Sequence, residues 1–329
     1  MNAEHLLDVF TSIDAESDDV WNTCAKFMRH LYWHKKRLVA LGPKIEELQD
    51  DHPSKPICLF RLSHLFDSVG NFMEEKRLLA HVLKLYRERG DDGRVAVALR
   101  SLSDVNRQLC LYKEGIQQAE EALEIRERFG DPVAQARCLN FLACLLYEDG
   151  QLDAAEKATS RAIDLFPEEG NQFPVCQCHR ILGNIHRSKG QKEKAIHHYE
   201  TALGIASNWH DELFWNHYAL AEAFFDGDRF NDAYAYIDRA KSHITNAYDL
   251  GRALELQASF LYRQDRLEEA RCEVLRAADA YEKVGAAKNA EDCRGLLQQI
   301  EEAVKNGELP EVALVPVCIN SAFEAQGTE

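Results

Sequence analysis

The densest group of metal-binding residue types in the chain is Cys176-x-Cys178-His179, with His186, His197 and His198 downstream. Thiolate and imidazole are the ligands of tetrahedral zinc sites. On a helix, residues two apart point about 200° apart, so Cys176 and Cys178 cannot both face one ion. Cys176 and His179 share a face, but His186 lies roughly 10 Å further along the axis. The spacing argues against a metal site. Carboxylate runs such as Glu120-Glu121 read as solvated helix faces. There is no GxxxxGK[ST] loop, no GxGxxG after a strand, and no HExxH, GxSxG or CxxC. Nothing assembles an acid, a base and a nucleophile, so no enzyme, metal or cofactor is expected.

Composition narrows the alternatives. The chain has 39 Lys+Arg against 55 Asp+Glu, a formal net charge of −16. Nucleic acid and anionic membrane surfaces both demand a basic face, so both are poor partners. No run approaches 18 apolar residues, so no spanning helix is expected. The start, MNAEHLLDVFTSIDAESDD, has neither a basic beginning nor a long apolar core, unlike a secretory signal. A cytoplasmic location is expected. The ten cysteines are scattered, mostly in amphipathic helices, and read as buried thiols of a reducing compartment rather than a disulfide framework.

Any binding chemistry must be positioned by the recurring elements. Gly70, Cys110, Gly150, Gly190, Asp228 and Asp265 are spaced by 40, 40, 40, 38 and 37 residues. Such a period signals stacked helix–turn–helix repeats. Seven residues before each turn stand Ser63, Ser103, Ala143, Gly183, Ala221 and Ala258, preceded by Leu62, Leu102, Leu142, Leu182, Leu220 and, exceptionally, Gln257. Twelve residues after it come Val82, Ala122, Ala162, Ala202, Ala240 and Ala277. Small residues let antiparallel helices approach while Leu fills the seam. Further on, Gly90, Gly130, Gly170 and Gly285 suit left-handed helix ends. Asp91, Asp131, Asn171, Asp211 and Asp249 are expected to cap the helices that follow.

The unit Leu182-Gly183 through Gly190 to Ala195, Tyr199 and Ala202 resembles the tetratricopeptide repeat family, departing from it at His186. The resemblance covers about residues 56–285 as six units, starting near 56, 94, 132, 173, 211 and 247, plus the first helix of a seventh. It implies an all-α, right-handed α-solenoid (superhelix) of antiparallel helix pairs. Units of about 40 residues exceed the family's usual 34. They look like the repeats of cell-polarity scaffolds, kinesin light chains and, most of all, fungal signal-transduction NTPases. Residues 1–55 are expected to form N-terminal capping helices, 286–305 a C-terminal capping helix and 306–329 a flexible tail.

In the family this chain resembles, the first helix of each unit lines a concave inner surface. By offset from the turn, that face includes Arg100, Asp104 and Arg107, then Arg137, Asn140 and Tyr147, then Gln177, Arg180, Asn184 and Arg187. Trp215, Tyr218 and Phe225 follow in the fifth unit and Arg252 in the sixth. Arg offers a planar fork for carboxylates, and aromatic anchors concentrate at binding hot spots. A partner segment with acidic residues at one end and an apolar or aromatic residue at the other is complementary. The competing reading is that these arginines pair with Asp104, Glu148 or Glu222 on neighbouring helices. The carboxylate clamp of chaperone-binding family members is incomplete here: Arg180, Asn184 and Arg252 fit it, but Ala219 and Leu256 do not.

The sequence therefore points to a non-enzymatic protein–protein interaction module that binds a peptide or helix in its groove. The alternative is the sensor module of a signalling NTPase of the STAND type. Trp209 and Trp215 would also suit a homo-oligomer interface.

Overall fold

The computed structural model describes residues 42–67, 71–167, 172–206, 209–284 and 286–306. The expected helices before residue 42, the tail after 306, and Gly70, Gly170, Asn171 and Gly285 lie outside the described residues. The described residues form an all-α solenoid in two compact units, Met1–Gly150 and Gln151–Glu329.

The first unit contains α1 (Gly42–Glu47), α2 (Lys55–Asp67), α3 (Phe72–Glu88), α4 (Asp92–Gln108), α5 (Tyr112–Phe129) and α6 (Pro132–Glu148). The second contains α7 (Leu152–Leu165), α8 (Phe173–Ser188), α9 (Lys192–Ile205), α10 (His210–Asp226) and α11 (Phe230–Lys241). It closes with α12 (Ala247–Arg263), α13 (Leu267–Val284) and α14 (Ala287–Asn306). Within each unit every helix packs on its sequence neighbour, and in the second α8 also meets α10 and α10 meets α12. Helix starts at 92, 132, 173, 210 and 247 fall within two residues of those expected from the period.

The turn column has a backbone reason. Cys110, Gly150, Gly190, Asp228 and Asp265 all have positive φ, between 57° and 80°. At Gly190 the amide donates to the Arg187 carbonyl (2.9 Å), and the next amide, of Gln191, donates to that of His186 (2.8 Å). This paired bond consumes two carbonyls that the helix end would otherwise leave unsatisfied, and it requires a left-handed residue. Cys110, Asp228 and Asp265 adopt the same conformation at a steric cost that glycine avoids. Cys110→Gly is therefore expected to raise stability by about 0.5–1 kcal/mol, net of glycine's greater chain entropy. An unchanged or lower urea midpoint would contradict this.

The small-residue columns are the seams. Ser63, Ser103, Ala143, Gly183, Ala221 and Ala258 are all buried, as are Val82, Ala122, Ala162, Ala202, Ala240 and Ala277. Ser103 Oγ donates across its seam to the Gly115 carbonyl at 2.7 Å. Gly183 is the tightest point: a Cβ there would sit 2.3 Å from the Tyr199 ring. Tyr199 is fully buried, and its hydroxyl donates to Asn184 Oδ1 at 2.8 Å.

Two expected caps are corrected. Asp91 and Asp131 do accept from the amides of Arg94 and Ala134, and Pro132 opens α6 where its missing N–H costs nothing. Asp249 instead lies inside the first turn of α12, whose cap is Asn246, accepting from the Asp249 amide at 2.8 Å. Asp211 likewise lies one residue inside α10 and accepts from Thr245 Oγ1. A carboxylate in the first turn is still favoured by the helix dipole, so sequence composition alone does not separate the two positions.

Candidate interaction surface

In the first unit, the column expected to face inward divides into paired and unpaired cations. Arg107, only 2% exposed, donates through Nε and Nη2 to Asp104 Oδ1 (3.1 and 3.0 Å) and through Nη1 to Glu148 Oε1 (3.2 Å). Burial opposes the charge on Arg107, but the two carboxylates outweigh it and hold its pKa above the ordinary value. Burial raises the Glu148 pKa, and Arg107 counters it. Asn140 is buried and Tyr147 half-buried. Arg100 on α4 and Arg137 on α6 are exposed. Neither makes an ion pair among the described residues, and Arg100 lies close enough to Cys138, the neighbour of Arg137, to bias its thiol.

The second unit repeats the paired half of this pattern more tightly. Arg180 Nε donates to Glu212 Oε2 at 3.2 Å, with both side chains 6% exposed. Gln177 Nε2 donates to the other oxygen of Glu212 at 3.2 Å. Arg187 straddles Glu222 (2.8 and 3.2 Å) and Asp226 (2.8 Å). Asn184 is occupied by Tyr199.

The aromatic end is packed inward. Tyr218 and Phe225 are 2% and 3% exposed, and Phe225 stacks on Phe260 with centroids 4.2 Å apart. Arg252, also buried, lies over the rings of Tyr218 (5.2 Å) and Trp215 (5.9 Å), and Trp215 is half-buried. Of the residues expected to line the groove, Tyr218, Phe225, Arg107, Arg180 and Arg252 are buried, with Arg107 and Arg180 held by internal carboxylates. The helix offset fixes a direction, but the adjoining helix closes over these positions. Glu212, which organises Gln177 and Arg180, was missed. It stands 32 residues after Arg180, a little under one repeat.

The cysteine–histidine cluster divides: His179 and His186 stack on His198, with ring centroids 5.5 and 5.1 Å apart, while Cys176 turns to a backbone carbonyl. Cys176 Sγ donates to the Ala202 carbonyl (3.3 Å), while His179 Nδ1 meets His198 Nδ1 at 3.2 Å. Burial pushes the Cys176 thiol up to about 12.

A second histidine group makes this unit acid-sensitive. His217 is 8% exposed, and its ring stacks on that of His243 with centroids 5.6 Å apart. Burial, then the neighbouring His243 and Arg239, bring its pKa from 6.5 down to about 4. The unfolded chain therefore takes up a proton at higher pH than the folded one. The contribution of His217 is complete above pH 6.5 and lost as pH falls through about 4, by on the order of 3 kcal/mol. Asp249, raised to about 6 by burial, works in the opposite direction over part of that range. His217→Phe should flatten the fall in melting temperature between pH 7 and pH 5, and an unchanged slope would refute the assignment.

Among the described residues, no helix is long and apolar enough to cross a membrane. Tetratricopeptide repeat profiles match residues 94–168 and 181–208, segments that hold three of the left-handed turn residues, Cys110, Gly150 and Gly190, and the seam residues Ser103, Ala143 and Gly183. These two segments carry tetratricopeptide repeats. No curated protein sequence matches it. Among solved structures it is similar to the apo form of RapI, at TM-score 0.62 and 14% identity, covering 81% of this chain and 97% of that one. The apo quorum sensor NprR from B. thuringiensis gives TM-score 0.60 and 13% identity, covering 91% and 97%. A Rap protein complexed with Competence and Sporulation Factor gives 0.58 and 13%, covering 92% of both chains. At these identities the likeness speaks for the fold. The tetratricopeptide repeats make this chain a protein–protein interaction module.

Proposed function

We propose that the repeat face carrying Arg100 and Arg137 binds an extended or helical segment of a protein partner bearing carboxylates. The observation that carries this reading is the division of the arginine column. Arg107, Arg180 and Arg187 are consumed by internal carboxylates, whereas Arg100 and Arg137 are exposed without an ion-pair partner among the described residues. In a chain of net charge −16, cations left unpaired on adjacent repeats are positioned to take carboxylates in bidentate geometry. Asp104 and Tyr147 flank them as half-buried polar neighbours. The family resemblance supports reading this column as part of the concave face. The role is non-catalytic.

The test is a double reversal, Arg100→Glu with Arg137→Glu, compared with reversal of the exposed Lys84 on α3. All three positions are exposed, so circular dichroism should be unchanged. Affinity capture with wild type should retain a partner that the double variant loses by about tenfold or more, as for close charge pairs at interfaces. Equal retention by both variants would sink the reading.

A further inference from the structure

The helix pair α2–α3 of the N-terminal unit holds a polar cluster that borders the arginine column, since Arg100 acts on His64 and Asp104 on Glu75. His64 and Asp67 stand three residues apart on α2, and so on one face of it. Glu75 enters from the first turn of α3. One ligand atom of each lies within 4.8 Å of the others. Glu75 is only 5% exposed, and its Oε2 is buried without a hydrogen-bond partner. A buried, unsatisfied carboxylate oxygen is costly. Burial first, then the neighbouring Asp67 and Asp104, push the Glu75 carboxyl up to about 9, while Arg61 and Arg100 act on His64 at the other side of the group. His64, at the exposed edge of the group, gives an ion a way in from solvent.

We propose that His64, Asp67 and Glu75 form a site for a divalent transition-metal ion, with one imidazole and two carboxylates as ligands. The two carboxylates balance the ion's charge, and the buried oxygen of Glu75 gains the partner it lacks. Nitrogen with two oxygens suits Zn²⁺ and leaves a coordination position for solvent. Such an ion would pin α3 to α2 through three side chains, stabilising the start of the repeat array. The ligands are distinct from Arg100 and Arg137, although Arg100 stands near His64.

The test is titration of the chelator-treated full chain with Zn²⁺ by calorimetry and thermal shift, alongside Co²⁺ absorption spectra. The expected result is one ion per chain with a raised melting temperature. The Co²⁺ spectrum should lack thiolate charge transfer, which separates this site from the cysteines. His64→Ala should weaken binding by about tenfold or more. Glu75→Gln keeps the shape and the neutral state of this side chain in the metal-free protein, which should melt no lower than wild type, but removes the carboxylate ligand and with it the Zn²⁺-dependent shift. Saturable binding unchanged by both variants, a thiolate spectrum, or no binding at micromolar Zn²⁺ would each overturn the assignment.

Discussion

Glu212→Ala is expected to lower the unfolding free energy by about 3–5 kcal/mol, because it removes the carboxylate paired with a buried guanidinium. Arg180 and Glu212 are each 6% exposed, and Glu212 also accepts from Gln177. Removing the carboxylate takes away both acceptors, while Arg180 cannot lose its proton at any accessible pH. The loss is not a measure of what the pair contributes. Breaking one side of a buried pair costs more than the pair itself provides, since desolvation has already been incurred. Arg180→Met with Glu212→Leu should therefore recover most of the loss. The urea midpoints of wild type, single and double variants decide it. A single-variant loss below about 1 kcal/mol would mean that water reaches Arg180.

The second large effect belongs to Gly183. Alanine there should cost about 1–3 kcal/mol, even though alanine is the better helix former by about 1 kcal/mol. The added methyl would stand 2.3, 2.5 and 2.8 Å from three ring carbons of Tyr199. The ring cannot swing aside freely, because it is fully buried and its hydroxyl is tied to Asn184. Relief therefore has to come from separating α8 and α9. A smaller partner side chain should absorb the methyl, so Gly183→Ala combined with Tyr199→Leu should be less destabilised than the sum of its single changes. Additive losses would show that the clash is relieved elsewhere. Gly251 faces Tyr281 in the same way, with a Cβ-to-ring distance of 2.7 Å, and offers a second trial.

The repeat lattice was legible because its causes are local. A left-handed residue must follow each first helix, and a small residue must sit at each seam, so both recur wherever the chain repeats. Even the departures obeyed: Cys110, Asp228 and Asp265 take the conformation of the glycines they replace. The candidate surface was only half legible. Offset from the turn placed Arg100 and Arg107 on the same face, yet one is exposed and the other is 2% exposed. What separates them is the residue about one repeat further on. Arg107 meets Glu148, Arg187 meets Asp226 and Glu222, and Arg180 meets Glu212. The pairing reading of these arginines was available from the sequence for Glu148 and Glu222, but Glu212 lay off the expected phase. The aromatic residues misled for a related reason. Tyr and Phe serve equally as hot-spot anchors and as core, and only the closing helix decides. The metal-like cysteines and histidines drew notice by proximity in sequence, whereas His64, Asp67 and Glu75 are brought together by a hairpin.

The left-handed turn residues also bear on how the chain reaches its folded state. Each reversal is closed by bonds between residues at most five positions apart, as from Gln191 to His186 and from Leu111 to Asn106. A hairpin can therefore form on contacts close in sequence, with little loop-closure entropy to overcome. Any pair within a unit is a competent nucleus, and growth proceeds to either neighbour. Substitutions at a turn should then slow refolding only where that hairpin starts the process, so a scan of the turn column would reveal which pair forms first.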